Sequence, residues 1–404
     1  MAHRYLWQNT VDAAAVAGRA YGFAGVIHGT ANQLKRQGVA GLPVMQSSFP
    51  QDDMSVQDSM MDAMAPLPPA LPGQHGDSLS RDSEPLPKVS IGMPVYNAES
   101  YLREAVDSLL AQTFSDFEIV ISDNASTDQT EAICRDYAKR EPRISYVRQQ
   151  KNLGATGNFN HVFGLARGTY FKWASYDDVC EPEFVARCVE VLDAHPEVVW
   201  VHSASSKING NGDVLESTAP EAEGIGHTSE AGLPRQFHDS SSPHLRFQGV
   251  LLGTNWCVDS YGVIRSDALR ATQLLPACYG SEKVLMGALS LAGCYHELPD
   301  TLFYQRVHAA ASSRIENAAD QLTFMDTKAT SRFTSTRMRL LRGHLHSISD
   351  AQLSIWQKVR CLLIVGKYLL QAHKWGAVLR NTFTGTGVGR TRTRTKPARS
   401  DSVD

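Results

Sequence analysis

From Lys88 onward the apolar residues alternate between two patterns. VSIGMPVY (Val89 to Tyr96) is a nearly unbroken apolar run, and Tyr101, Leu102, Ala105, Val106, Leu109 and Leu110 then recur at the spacing of one helical face. FEIVIS (Phe117 to Ser122) predicts a second strand. It ends at DNASTDQT, where Ser126 and Gln129 have capping-box spacing for a helix running through Tyr137. Further along, ISYVRQ (Ile144 to Gln149) predicts a strand, Asn158 to Ala166 a helix, TYFKWAS a strand, Glu183 to Ala194 a helix, and VVWVHS a strand. Trp173 and Trp200 fall inside strand patterns and read as core. Strand and helix taking turns predict an α/β fold: a mostly parallel, Rossmann-like sheet with helices on both faces.

After Ser203 the alternation stops. The run from Asn209 to Pro243 is rich in Gly, Ser, Glu and His and reads as a long loop or flap. LRFQGVLL and YGVIRSDAL restore order, and Glu282 to Leu291 reads as a helix closed by Gly293. Asp350 to Leu379 reads as an amphipathic helical stretch; Lys358, Arg360 and Lys367 keep it from spanning a membrane. Upstream, Gln46 to Pro87 carries Pro66, Pro68, Pro69, Pro72, Pro85 and Pro87 among scattered acids and reads as a disordered linker. The expected organisation is an extension and linker (1–87), an α/β domain (88–313), a C-terminal helical region (314–383) and a basic polar tail (384–404).

Composition narrows the classes. A formal charge of -3 over 404 residues gives no global basic field, so nucleic acid is not expected as a partner. The seven cysteines form no CxxC pair and no zinc-type array, which predicts reduced thiols. No secretory layout opens the chain, and the expected location is the cytoplasm. A second expectation is peripheral attachment to the inner face of the membrane through the C-terminal helix and the tail, with its Arg390, Arg392, Arg394, Lys396 and Arg399.

In an open parallel sheet, ligands bind beyond the carboxyl ends of the strands. Asn97 and Glu99 follow the first strand, Asp123 and Asn124 the second, and Asp177 and Asp178 the fourth, so the three turns can converge on one site. Adjacent carboxylates repel each other unless something compensates. A hard cation, Mg²⁺ or Mn²⁺ shared with substrate phosphates, would do so; the alternative is that Asp178 caps the helix near Pro182 while Asp177 is merely exposed. PVYNAES follows the first strand where a glycine fingerprint would stand, and no GxxxxGK[ST] loop occurs, which disfavours dinucleotide oxidoreductases and P-loop NTPases.

Taken together, VSIGMPVYNAESYLREAVDSLLAQT, FEIVISDNASTDQT, NLGATGNFN, GTYFKWASYDDVCEP and SEKVLMGALSLAG followed by LFYQRVH resemble the family 2 glycosyltransferases, inverting enzymes of the GT-A fold. The resemblance implies that Pro94, Tyr96, Asn97, Glu99, Asp123 and Asn124 hold the nucleoside of a nucleotide-sugar donor, most simply a UDP-sugar, with Asn158 near the donor pocket. It implies Asp177, Asp178 and His308 as ligands of Mn²⁺ or Mg²⁺, Arg306 as a phosphate contact, Glu282 as the base, and Trp256 as a platform for a carbohydrate or lipid-linked acceptor. Ser175 stands where many members carry a further aspartate. Two other readings stay open: a sugar-nucleotide transferase or pyrophosphorylase, and a non-catalytic member retained for binding or assembly.

Overall fold

In the computed structural model the described residues are 85–215, 239–253, 258–312, 315, 317–327 and 336–370. The expectations for residues 1–84, for most of the flap and for the basic tail lie outside them. Eight strands form one mixed sheet: β1 (Val89–Val95), β2 (Phe117–Asp123), β3 (Ile144–Arg148), β4 (Tyr170–Trp173), β5 (Val179–Cys180), β6 (Val198–Ile208), β7 (Val263–Arg265) and β8 (Cys294–Arg306), in the order β3-β2-β1-β4-β7-β6-β8-β5. The β3-β2-β1-β4 half is parallel throughout, and its strand order reverses at β1. A ligand crevice belongs at that reversal.

Both faces of this half are covered, so β1 and β2 are buried at every residue and read as continuous apolar runs. On the layer shared with β1, β2 and β6 pack α1 (Leu102–Leu110), α2 (Thr130–Arg140) and α4 (Phe184–Ala194). On the other layer, α3 (Gly154–Gly164) and α7 (Ser281–Ala292) enclose Phe171, Trp173 and Trp200, so both tryptophans are core residues. Gly92 is needed at the centre of β1: a Cβ there would lie 2.6 Å from the ring of Phe171, itself held edge-on between Phe163 and Trp173. Replacing Gly92 by Ala is expected to destabilise the fold by about 1–3 kcal/mol through overpacking, read as a lower denaturation midpoint at unchanged slope.

The second half of the sheet departs from the sequence reading. β6 runs on to Ile208, and Asn209 to Val214 make a tight turn returning to it instead of opening a long loop at Asn209. Pro243 starts the short helix α5 (Pro243–Gln248), which continues as one π-turn to Gly253. β7 enters antiparallel between β4 and β6, and leads into α6 (Ser266–Arg270). β8 follows β6 in parallel but shifts register between Ser203 and Ser205, opposite Leu298-Pro299-Asp300. A proline lacks the N–H that a regular ladder needs, so the break falls there. Beyond it, β8 pairs antiparallel with β5. This pairing brings Arg306 and His308 beside the Asp177-Asp178 turn.

Three further helices complete the described chain: α8 (Ala318–Met325), α9 (Thr336–Asp350) and α10 (Ile355–Leu369). α10 begins with a complete capping box, Ser354 with Gln357, and packs Cys361, Ile364, Val365 and Tyr368 onto Phe247, Leu251 and Leu291. Of the stretch expected as helical from Asp350, Ile355–Leu369 form α10, while α9 precedes that stretch and ends at Asp350.

Candidate active site

The loops after β1 and β2 are tied to each other. Asn97 sits at φ 49° and Ala125 at φ 64°, which turn each strand end sharply. Asn97 N–H donates to Ser126 Oγ (3.0 Å), and Asn97 Oδ1 accepts from Thr127 N–H (2.9 Å). Glu99 N–H donates to Asp128 Oδ2 (3.1 Å), and Glu99 Oε2 accepts from Gln129 N–H (2.9 Å). The capping box expected from Ser126 and Gln129 does not form, because Ser126 serves Asn97 and the donors opening α2 are met by Glu99 and Asp128. Tyr96 is exposed beside these ties, while Pro94 is buried in β1 opposite Ser122.

Asp123 is fully buried at the end of β2. Its Oδ1 accepts from Ser126 N–H (2.8 Å), its Oδ2 from the Tyr146 hydroxyl (2.7 Å), and the Arg148 Nε lies 3.6 Å away. Burial, reinforced by the hydrogen bond to Asp123, pushes the Tyr146 phenol well above its usual pKa and keeps it a donor. Each carboxylate oxygen retains a lone pair for one further N–H.

Two amides expected to touch the donor are instead consumed inside the protein. Asn124 accepts from Leu153 N–H (2.8 Å) and donates to Asn152 Oδ1 (2.9 Å) and Gly154 O (3.3 Å). Asn158 lies in the second turn of α3 and is buried. It accepts from Ser122 Oγ (2.6 Å) and donates to Ser122 O (2.8 Å), with Val95 O at 3.4 Å, clamping the ends of β1 and β2.

At the end of β4 the two aspartates part company. Asp177 accepts from the Ser175 hydroxyl at Oδ1, and its Oδ2 meets His308 Nε2 at 2.9 Å. Asp178 turns inward. It is buried, accepts from Arg306 N–H (2.9 Å), and its pKa is raised well above the carboxylate range by burial and then by the charge of Asp177. It therefore caps no helix, since the next one starts at Phe184 after Glu183. Arg306 also departs from its expected role. Its guanidinium is wholly buried, with Nε donating to Asp177 O (2.8 Å), one terminal nitrogen to Asn209 O (3.1 Å) and the other 2.7 Å from Glu104, so it braces the turn and does not reach for phosphate.

Lys172 was not read as part of this site, yet its side chain is completely buried on β4. Nζ donates to Tyr261 O (2.6 Å) and Trp173 O (3.1 Å), lies over the rings of Phe184 and Phe303, and its charge partly offsets the rise at Asp178. Tyr261 was missed as well. Its phenol is pushed well above its usual pKa by burial first, then by Asp178, Glu282 and Asp177, and hydrogen-bonds Ser175. One hydroxyl therefore lies within electrostatic reach of the β4 turn and of Glu282.

Glu282 stands in the first turn of α7, after Gly280, whose φ of 78° sets up the helix start. The positive end of the helix favours a carboxylate there. Burial nonetheless raises the Glu282 pKa, which makes it a stronger base than a surface glutamate. Trp256 lies outside the described residues.

A donor set of one carboxylate oxygen and one imidazole nitrogen fits a divalent cation, Mn²⁺ better than Mg²⁺. Among the described residues no cluster of three His, Cys, Asp or Glu groups is arranged for a metal. Asp177 Oδ2 and His308 Nε2, 2.9 Å apart, are the two groups at this turn that could face such a cation.

Residues 90–246 match the sequence profile of glycosyl transferase family 2. Over that stretch, less than half of its length, the chain is similar to this family. Its relatives include chondroitin synthase of Escherichia coli, 32% identical over 33% of this chain and 19% of that protein. An uncharacterized glycosyltransferase of Methanocaldococcus jannaschii is 30% identical over 33% of this chain and 47% of its own length. The chain thus spans less than half of these relatives. Among solved structures, S. aureus TarS 1–349 in complex with UDP-GlcNAc aligns over 74% of this chain and 76% of its own, with TM-score 0.50 and 18% identity. That likeness is one of fold, and the fold is the GT-A type: a mixed, mostly parallel sheet with helices.

Proposed function

We propose that this protein transfers a sugar from a nucleoside-diphosphate donor to a hydroxyl acceptor with inversion at the anomeric carbon. The observation that carries the reading is the match of residues 90–246 to glycosyl transferase family 2, with the Asp177–His308 contact standing at the end of β4. That match and the UDP-GlcNAc held by TarS support a nucleotide-sugar donor, for which a UDP-sugar is the simplest choice.

In this mechanism Asp123 accepts an N–H of the base, and the loops carrying Tyr96, Asn97 and Glu99 flank the nucleoside. Asp177, oriented by Ser175, and His308 would hold the cation. When bound, that cation supplies Lewis-acid stabilisation for the charge developing on the diphosphate. Glu282 removes the acceptor proton as its oxygen attacks from the face opposite the phosphate; the bond from anomeric carbon to phosphate oxygen breaks, and its electron pair leaves with the nucleoside diphosphate. The acceptor is a carbohydrate or a lipid-linked carbohydrate.

A thermal-shift titration with UDP and UDP-sugars, with and without Mn²⁺, tests this. Saturating nucleotide at about a hundred times Kd should add ~2.7 kcal/mol, and only with metal present. Equal shifts in its absence would remove the metal role of Asp177 and His308.

Glu282→Gln separates chemistry from folding. Loss of the base is expected to lower kcat about a hundredfold or more, with nucleotide binding unchanged. The stability effect has the opposite sign. A carboxyl whose folded pKa is raised binds more protons folded than unfolded, so its burial costs stability as pH rises through the folded value. The variant should therefore melt higher than wild type at neutral pH, with the gap closing below the ordinary glutamate pKa.

A further inference from the structure

α10 is apolar on two opposite faces. One is packed against the body, as described above. On the other, Ile355 (70%), Trp356 (75%), Val359, Leu362, Leu363 (65%) and Leu370 (83%) are exposed. Placed at about 100° per residue, these six fall within an arc of roughly 120°, and the cations border it on both sides, Lys358 on one edge and Arg360 and Lys367 on the other. A soluble helix ordinarily turns polar residues outward. This one turns out a tryptophan and branched aliphatics, and no described helix is long and apolar enough to cross a membrane.

The sequence around the helix says what covers this face. Residues 351–400 contain ten Lys and Arg and no Asp or Glu, although the whole chain is at -3. Cations rimming an apolar arc suit a surface that is negative outside and hydrocarbon just beneath, since Lys and Arg can lay their stems along the apolar face and keep their charges at the headgroups. A second copy of this chain would set these cations against one another. Nucleic acid would use the charges but leave Trp356 and Leu363 in water.

We propose that α10 lies in the plane of an anionic lipid bilayer, with Trp356, Leu363 and Leu370 below the headgroups and the basic run after residue 370 supplying the electrostatic hold. The proposal concerns where the protein works and stands independently of the transfer chemistry.

Sedimentation of the full chain with phosphatidylcholine vesicles, with and without phosphatidylglycerol, provides the test, with thermal unfolding run on every variant. The expected result is binding to the anionic vesicles that weakens with salt. Trp356→Glu combined with Leu363→Glu should lower the partition constant by about tenfold or more at unchanged Tm. Changing Arg390, Arg392, Arg394, Lys396 and Arg399 to Gln should lower it by a similar factor. Equal partition onto neutral and anionic vesicles would overturn the proposal, as would wild-type binding by the double-glutamate variant. Self-association abolished by that variant without vesicle binding would give the face to a second copy. Retention on RNA that the variant does not change, again without vesicle binding, would give the basic run to nucleic acid. Either result overturns the proposal.

Discussion

Asp177→Asn is expected to lower kcat by about a thousandfold while leaving the melting temperature close to that of wild type. In the proposed mechanism the carboxylate would be the anionic half of the donor set for the cation, and the Lewis-acid contribution expected there is worth several kcal/mol, at about 1.4 kcal/mol per factor of ten. Asn keeps the shape, its Oδ1 can still accept from Ser175 and its Nδ2 can donate to an unprotonated His308 Nε2, so the turn should survive. The check is nucleoside diphosphate release over a range of Mn²⁺ concentrations, together with the thermal shift on adding nucleotide. Wild type should show metal-dependent stabilisation and the variant should not. An active Asp177→Asn protein would send the cation elsewhere and take the catalytic role of the β4 turn with it.

Lys172→Met is expected to have the largest effect on stability, a loss of about 3–5 kcal/mol. Methionine fills nearly the same volume between Phe184 and Phe303, so little of the loss is packing. It comes from two sources. The carbonyls of Tyr261 and Trp173 lose a charged donor, and Asp178 loses the cation that offsets its burial. Measured against a typical margin of about 5–15 kcal/mol, that is a large fraction. Adding Asp178→Asn to Lys172→Met should recover part of it, because the amide oxygen can still accept from Arg306 N–H without a charge to compensate. If the double variant is no more stable than Lys172→Met, Lys172 acts only through the carbonyls.

The parallel half of the sheet was readable because its signals are local. β1, β2 and β3 are apolar runs of ordinary length, and α1, α4 and α7 carry one apolar face each, so their limits fell within a residue or two of expectation. β5 and β7 are two and three residues long and exist only through partners far along the chain, which no periodicity reports. β8 was hidden by Pro299, which reads as punctuation until the register shift opposite it is known.

In the site, position was legible and direction was not. Strand ends announced where polar groups would gather. Within one turn, Asp177 meets Ser175 and His308 while Asp178 takes the Arg306 N–H, a division of partners that the adjacent letters do not announce. The same holds for Lys172: in TYFKW, Phe171 and Trp173 face one layer while Tyr170 and Lys172 face the other, so a charge in a strand pattern was in fact the most enclosed residue of the turn's support. Asn124, Asn158 and Arg306 are chemically capable of gripping a ligand. Their long-range backbone partners show what they do within the protein, which is to brace it.

The stitching between the β1 and β2 loops has a consequence for selectivity. Asn97, Glu99, Ser126 and Asp128 hold one another before any nucleotide arrives, so little ordering entropy opposes entry on that flank. A heterocycle lodged there would meet loops already tied to each other. Discrimination between bases would then come from rejection by a fixed shape, with no closing motion to wait for.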